Sequence, residues 1–144
     1  MNALSGRMVA LAFVAGVLAT LIFHQLYILA LGGNAYSLAP TRPFGVWTFA
    51  SLAFFGGLWG IVLAFIVPRL PAPFNDWLGW LILGAVLPTL VLWFIVLPLR
   101  GASPSRLWTP WLLFLIPTAH AVWGIATWGL MKAGNMVMGR ARAA

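Results

Sequence analysis

The sequence predicts an all-α membrane protein, with four transmembrane helices arranged as two tandem helical hairpins in a compact bundle. Three observations carry that expectation. Hydrophobic residues fill 63% of the 144 positions and charged residues 6%, with a mean hydropathy of +1.03, which leaves too little charge for a water-facing surface. Four runs, Met8 to Leu31, Trp47 to Val67, Trp77 to Leu99 and Trp111 to Met131, contain no Asp, Glu, Lys or Arg. The loop PTRPFGVW, beginning at Pro40, returns as PSRLWTPW, beginning at Pro104.

Each run holds 21 to 24 residues. At about 1.5 Å per residue, each crosses a hydrocarbon core of roughly 30 Å. Helices are the open-chain solution for such runs, because lipid offers no partner to a backbone amide or carbonyl. The first run follows Arg7 and starts like a secretory signal, but its 24 uninterrupted residues exceed the usual apolar region of a signal and predict a span. Stepping by four along it, Ala12, Gly16, Thr20 and His24 form one column. The outer loop GGNAYSLAP follows, and Gly56, Gly60 and Ala64 form the column of the second span. These small-residue faces, with Gly16, Gly56 and Gly60 as packing positions, let membrane helices approach closely where no hydrophobic incentive exists.

The connection PRLPAPFND separates the hairpins. Pro68 removes a backbone donor and ends the second span, and Asp76, the only acidic residue, or Asn75 caps the amides that open the third. Pro88 and Pro117 are expected to kink the third and fourth spans. On the fourth, the column is His120, Gly124 and Trp128, with Gly124 as its packing glycine.

A duplication organises these elements. Pro40, Arg42 and Trp47 match Pro104, Arg106 and Trp111, and Trp59-Gly60-Ile61 matches Trp123-Gly124-Ile125, all sixty-four positions apart. In that register His120 stands where the first unit has Gly56. The earlier helices match at sixty-nine, VLATL at Val17 to Leu21 against VLPTL at Val86 to Leu90. The five-residue difference lies in the longer first outer loop. Residues 1–70 and 71–144 are therefore read as two hairpin units of one integral domain. Two units with even span number share an orientation, which makes a parallel repeat about an axis along the membrane normal.

Charge reads as topology. The net charge of +7 does not gather into a basic patch with interleaved aromatics, so nucleic acid is not an expected partner. Arg7, Arg69, Lys132, Arg140 and Arg142 fall on one side, and Arg42, Arg100 and Arg106 on the other. The positive-inside rule then puts both termini in the cytoplasm. Arg42, Trp47, Arg106 and Trp111 are expected as interface anchors, with Trp77 and Trp108 beside them. The absence of cysteine excludes disulfides and thiolate chemistry.

His24 and His120 are the chemical candidates. Both fall on small-residue faces, roughly 12 to 15 Å below the outer boundary by helical rise, and a polar ring at that depth raises the question of a site. Three readings stay open: a hydrogen bond to Thr20, Gln25, Thr89, Thr118 or a Pro-freed carbonyl, contributing about 1 kcal/mol; axial ligation of haem b by the pair; or a proton or ion relay. With one carboxylate in the chain, catalytic acid/base pairs, two-metal centres and proton-coupled carboxylates lack their parts. Catalytic and metal-binding residues are accordingly not expected.

The segments FHQ in the first span, YSLAP and PFGVW in the outer loop, and GGLWGIVLA in the second span resemble a family of small four-span proteins of bacterial inner membranes to which no chemistry is assigned. The resemblance covers most of the chain and is strongest over residues 22–70. It implies a bacterial inner-membrane location. The expected function is a non-enzymatic structural or accessory component that self-associates or binds a larger membrane complex. An oligomeric unit for transport of a small solute or ion, and a haem-bearing redox subunit, are the alternatives.

Overall fold

The structure, a computed structural model, describes residues 5–41 and 44–140, without the side chains of Pro104 and Arg106. Four helices long and apolar enough to cross a membrane make up the fold: α1 (Gly6–Ala30), α2 (Thr48–Arg69), α3 (Trp77–Leu99) and α4 (Pro110–Arg140). The described residues form no sheet; the outer loop carries one isolated bridge between Pro40 and Trp47.

Local chemistry explains where the helices begin and end. Ser5, with extended backbone, accepts from the Met8 amide at 3.4 Å and so satisfies one of the orphan donors that open α1. At the other end, Gly32 takes φ +76° and the Gly33 amide donates back to Ile28 O at 2.8 Å. Helix α3 ends identically: Gly101 takes φ +69°, and the Ala102 amide donates to Leu97 O at 2.9 Å. Glycine is needed at both places because a Cβ disfavours left-handed backbone. Helix α2 tightens into a 3₁₀ turn at Val67–Arg69 around Pro68. There the Arg69 guanidinium donates to Phe65 O and lies 3.8 Å from the Phe65 ring centroid.

Two helices are not α-helical throughout. Helix α1 widens to a π turn at Thr20–His24 and α3 to another at Leu92–Val96. A π turn accommodates one extra residue and rotates the remainder of the helix about its axis. Its effect in α1 is that His24 and Gln25, consecutive in sequence, are both buried, at 7% and 2% exposure. Helix α4 continues past the expected limit at Met131 to Arg140. Lys132 marks where apolar sequence stops, but nothing there breaks a helix.

The glycine columns make the closest contacts. A Cβ on Gly16 or Gly60 would strike the carbonyl oxygens of Gly56 and Ala12 respectively, and one on Gly56 would strike the Thr20 side chain. In the second hairpin a Cβ on Gly124 would strike the Trp80 carbonyl. The hairpins join mainly through α1 against α4, while α2 and α3 approach more sparsely. Leu63, Val67, Trp80, Trp123 and Met131 form the core with Ala12, Ala15, Ala19 and Ala64. Large apolar residues, among them Val14, Leu18, Phe54, Phe55 and Phe94, point outward, as a lipid-facing surface requires.

Candidate functional site

The two histidines meet. His24 is delivered by the π turn of α1 and His120 by the middle of α4. Their ring centroids lie 5.7 Å apart with the planes 21° from parallel. The pair sits where α1 and α4 pack together, and the next turn of α4 seals the joint: the Trp123 indole donates to Gly16 O at 3.1 Å.

Hydrogen bonds assign each ring a tautomer. Thr89 Oγ1 donates to Ala85 O at 2.6 Å and lies 2.7 Å from His120 Nδ1. The hydroxyl has a single proton, spent on the carbonyl, so the second contact needs a proton from the ring. His120 therefore carries its proton on Nδ1, leaving the Nε2 lone pair free to accept. On α1, Gln25 Oε1 accepts from the Tyr36 amide at 2.7 Å, which turns the amide nitrogen of Gln25 toward His24 Nδ1 at 3.3 Å. His24 Nδ1 accepts there, and its proton sits on Nε2.

Tyr36 comes from the longer first outer loop. It adopts φ +51°, uncommon for a bulky residue. Its hydroxyl donates to Leu21 O, within the π turn, at 2.7 Å. The loop is thus fastened onto α1 at two points, one through Gln25 and one through the backbone of the helix that bears His24.

Of the partners expected for the rings, Gln25 and Thr89 are the ones that engage them. Thr20 and Thr118 donate instead to their own helix backbones, at Gly16 O and Phe114 O. The bonds Thr20 to Gly16 and Thr89 to Ala85 occupy matching positions in the two hairpins, sixty-nine residues apart. The same register puts Trp93 opposite His24. Among the described residues Trp93 Nε1 is the side-chain polar atom both sealed from solvent and without a partner.

The arrangement bears on haem ligation. An axial histidine presents an unprotonated nitrogen to iron and usually donates its other N–H to a neighbour. His120 suits that role through Nε2. His24 does not: its proton lies on Nε2, and its Nδ1 is occupied by Gln25. Reversing the tautomer would require Gln25 to turn over, setting its amide nitrogen against the Tyr36 N–H. The donor set as arranged does not fit a bis-histidine haem.

Asp76 differs from its expected role. It stands at the N-cap position of α3, but its side chain makes no capping bond. Its Oδ1 accepts from Trp128 Nε1 at 2.6 Å and pairs with Lys132 Nζ at 3.3 Å. The Trp128 N–H first, and Lys132 next, hold the carboxyl below its usual range despite some desolvation. A tertiary clamp between α3 and α4 has taken the carboxylate that a local cap would use.

The expected packing glycines Gly16, Gly56, Gly60 and Gly124 all lie inside the bundle. Trp47 and Trp111 are half exposed at helix starts, 56% and 49%. Arg42 lies outside the described residues, as does the side chain of Arg106. Sequence reasoning missed Tyr36 and paired the two rings only within the haem alternative. The available signal was the extra length of the first outer loop, placed over the end of the helix that carries His24. Comparison of the chain with known protein families, with curated proteins and with solved structures found no match.

Proposed function

We propose that the protein is a non-enzymatic, multi-pass component of a bacterial inner membrane, a duplicated pair of helical hairpins that serves as a scaffold or accessory subunit for other membrane helices. The observation that carries this reading is how the polar groups are spent. Asp76, the only carboxylate in the chain, is tied to Trp128 and Lys132 at the end bearing both termini. Both histidines are tied to neighbours at the joint between hairpins. The hydrogen bonds around His120 end at Ala85 O, a backbone acceptor within α3, so they supply adhesion rather than a path across the bilayer. Matching helix ends at Gly32 and Gly101, and matching threonine bonds, support the duplication.

The small faces are consumed internally, which directs association to the bulky outward surfaces of α2 and α3, rich in Phe54, Phe55, Phe94 and Ile95. The test is in-membrane crosslinking followed by purification in mild detergent, with an absorption spectrum and a liposome flux assay on the same sample. A stoichiometric second copy or one defined membrane-protein partner is expected, with no Soret band. A monomer in the bilayer that conducts protons or solute would overturn the proposal in favour of transport, and a Soret band would overturn it in favour of a redox subunit.

A further inference from the structure

We propose that His24 and His120 together form a site for a single hydroxyl group, which accepts from His24 Nε2–H and donates to the His120 Nε2 lone pair. The inference goes beyond the scaffold reading and does not depend on it.

The first support is complementarity. The bonds run in one direction: the Tyr36 amide donates to Gln25, Gln25 donates to His24 Nδ1, His120 Nδ1–H donates to Thr89, and Thr89 donates to Ala85 O. Between the two rings this order calls for one more donation, from the His24 side to the His120 side. The tautomers supply the two ends of that link, an N–H on His24 and a lone pair on His120. Two lone pairs would compete for the single hydroxyl proton, and two N–H groups would leave that proton unused; one of each uses both functions, because a hydroxyl is both donor and acceptor.

The second support is demand. Neither Nε2 atom has a protein hydrogen-bond partner among the described residues. Leaving a polar group unpaired in a dry interior costs roughly 1 to 3 kcal/mol. One bridging molecule relieves two such atoms at once and costs at most about 2 kcal/mol in immobilisation. The third support is proximity: the rings lie near-parallel with centroids 5.7 Å apart, at a depth that requires a good reason for two imidazoles.

The hydroxyl has two possible sources, water or the hydroxyl of a membrane amphiphile. Magic-angle-spinning NMR of the full chain, ¹⁵N-labelled at histidine and reconstituted in phosphatidylethanolamine/phosphatidylglycerol bilayers, separates them. His24 is expected as the Nε2–H tautomer and His120 as the Nδ1–H tautomer, with the Nε2 signals of both rings receiving magnetisation from one hydroxyl proton. Because a hydroxyl proton of either source exchanges with solvent, the neighbouring C–H protons separate the two: transfer to the rings from lipid C–H protons that persists in deuterated water and vanishes with carbon-deuterated lipid identifies the amphiphile, and hydroxyl transfer with no such C–H neighbour identifies water. Gln25→Leu should release His24 into a tautomer mixture while Thr89 still holds His120, and Thr89→Val should do the reverse. His120→Phe should abolish the transfer at His24. Equal tautomers on both rings, a charged ring at neutral pH, or no transfer from either source would overturn the proposal. Should His120→Phe fail to insert, the two single-ring variants still decide the matter.

Discussion

At the scale of single residues, the molecule separates glycines that hold the fold from glycines that do not. Gly56 faces the Thr20 side chain and the Gly16 carbonyl so closely that a Cβ displaces the Thr20 hydroxyl and crowds the carbonyl, whereas Gly129 has nothing within 4 Å. Alanine has the higher helix propensity, by about 1 kcal/mol, so propensity alone predicts that both substitutions stabilise. Overpacking reverses the sign at one site, at a cost of roughly 1 to 3 kcal/mol. Gly56→Ala is thus expected to destabilise the bundle and Gly129→Ala to leave it unchanged or slightly firmer, read by reversible unfolding in bicelles. Equal effects at the two sites would remove the close α1–α2 contact from the account. Trp123→Phe removes the indole donor to Gly16 O and should cost about 1 kcal/mol in the same assay, since membrane hydrogen bonds are individually modest.

At the scale of elements, the π turn in α1 and the clamp between α3 and α4 do the positioning. The clamp is sensitive to acid in a defined direction. Asp76 has its carboxyl held below the usual value by the Trp128 N–H and by Lys132. A group with a depressed native value contributes stability above its unfolded value, roughly 3.9 for aspartate. That contribution is lost as pH falls below there through the native value. Unfolding measured from pH 6 down to pH 3 should show the native chain losing stability along this limb and Asp76→Asn lacking that component, while the variant is already weaker at pH 6. Parallel curves for the two proteins would show that the ionised carboxylate does not hold α3 to α4.

At the scale of the whole molecule, four spans put the outer loop around Tyr36 and the turn at Gly101 at one end, and residues 70–76 with the start of α1 and the end of α4 at the other. The proposal that the second end is cytoplasmic rests on the distribution of the basic residues. Because the chain has no cysteine, single cysteines introduced at Asn34 and Ala72 report sidedness without background. In intact cells an impermeant maleimide should label the first and spare the second. The reverse pattern would invert every loop. The contacts between the hairpins are unequal: α1 packs broadly on α4, whereas α2 and α3 meet sparsely.

The sequence by itself determined the four helices, their limits to within a few residues at most ends, and the inward columns through Gly16, Gly56, Gly60 and Gly124. These properties depend on hydropathy and spacing summed along one helix, which are local. It also narrowed the histidine partners to a short set that included Gln25 and Thr89, because those polar residues fell at comparable depth. Only the tertiary structure decided that the two rings meet, that Tyr36 fastens the outer loop over them, and that Asp76 serves Trp128 and Lys132 rather than its own helix. Each depends on the rotation and separation of helices distant in sequence. A single π turn, with no breaker residue to announce it, shifts the face on which every later side chain of α1 lies. The contact of His24 with His120 spans ninety-six positions, and no periodicity within either helix encodes the angle at which the two pack.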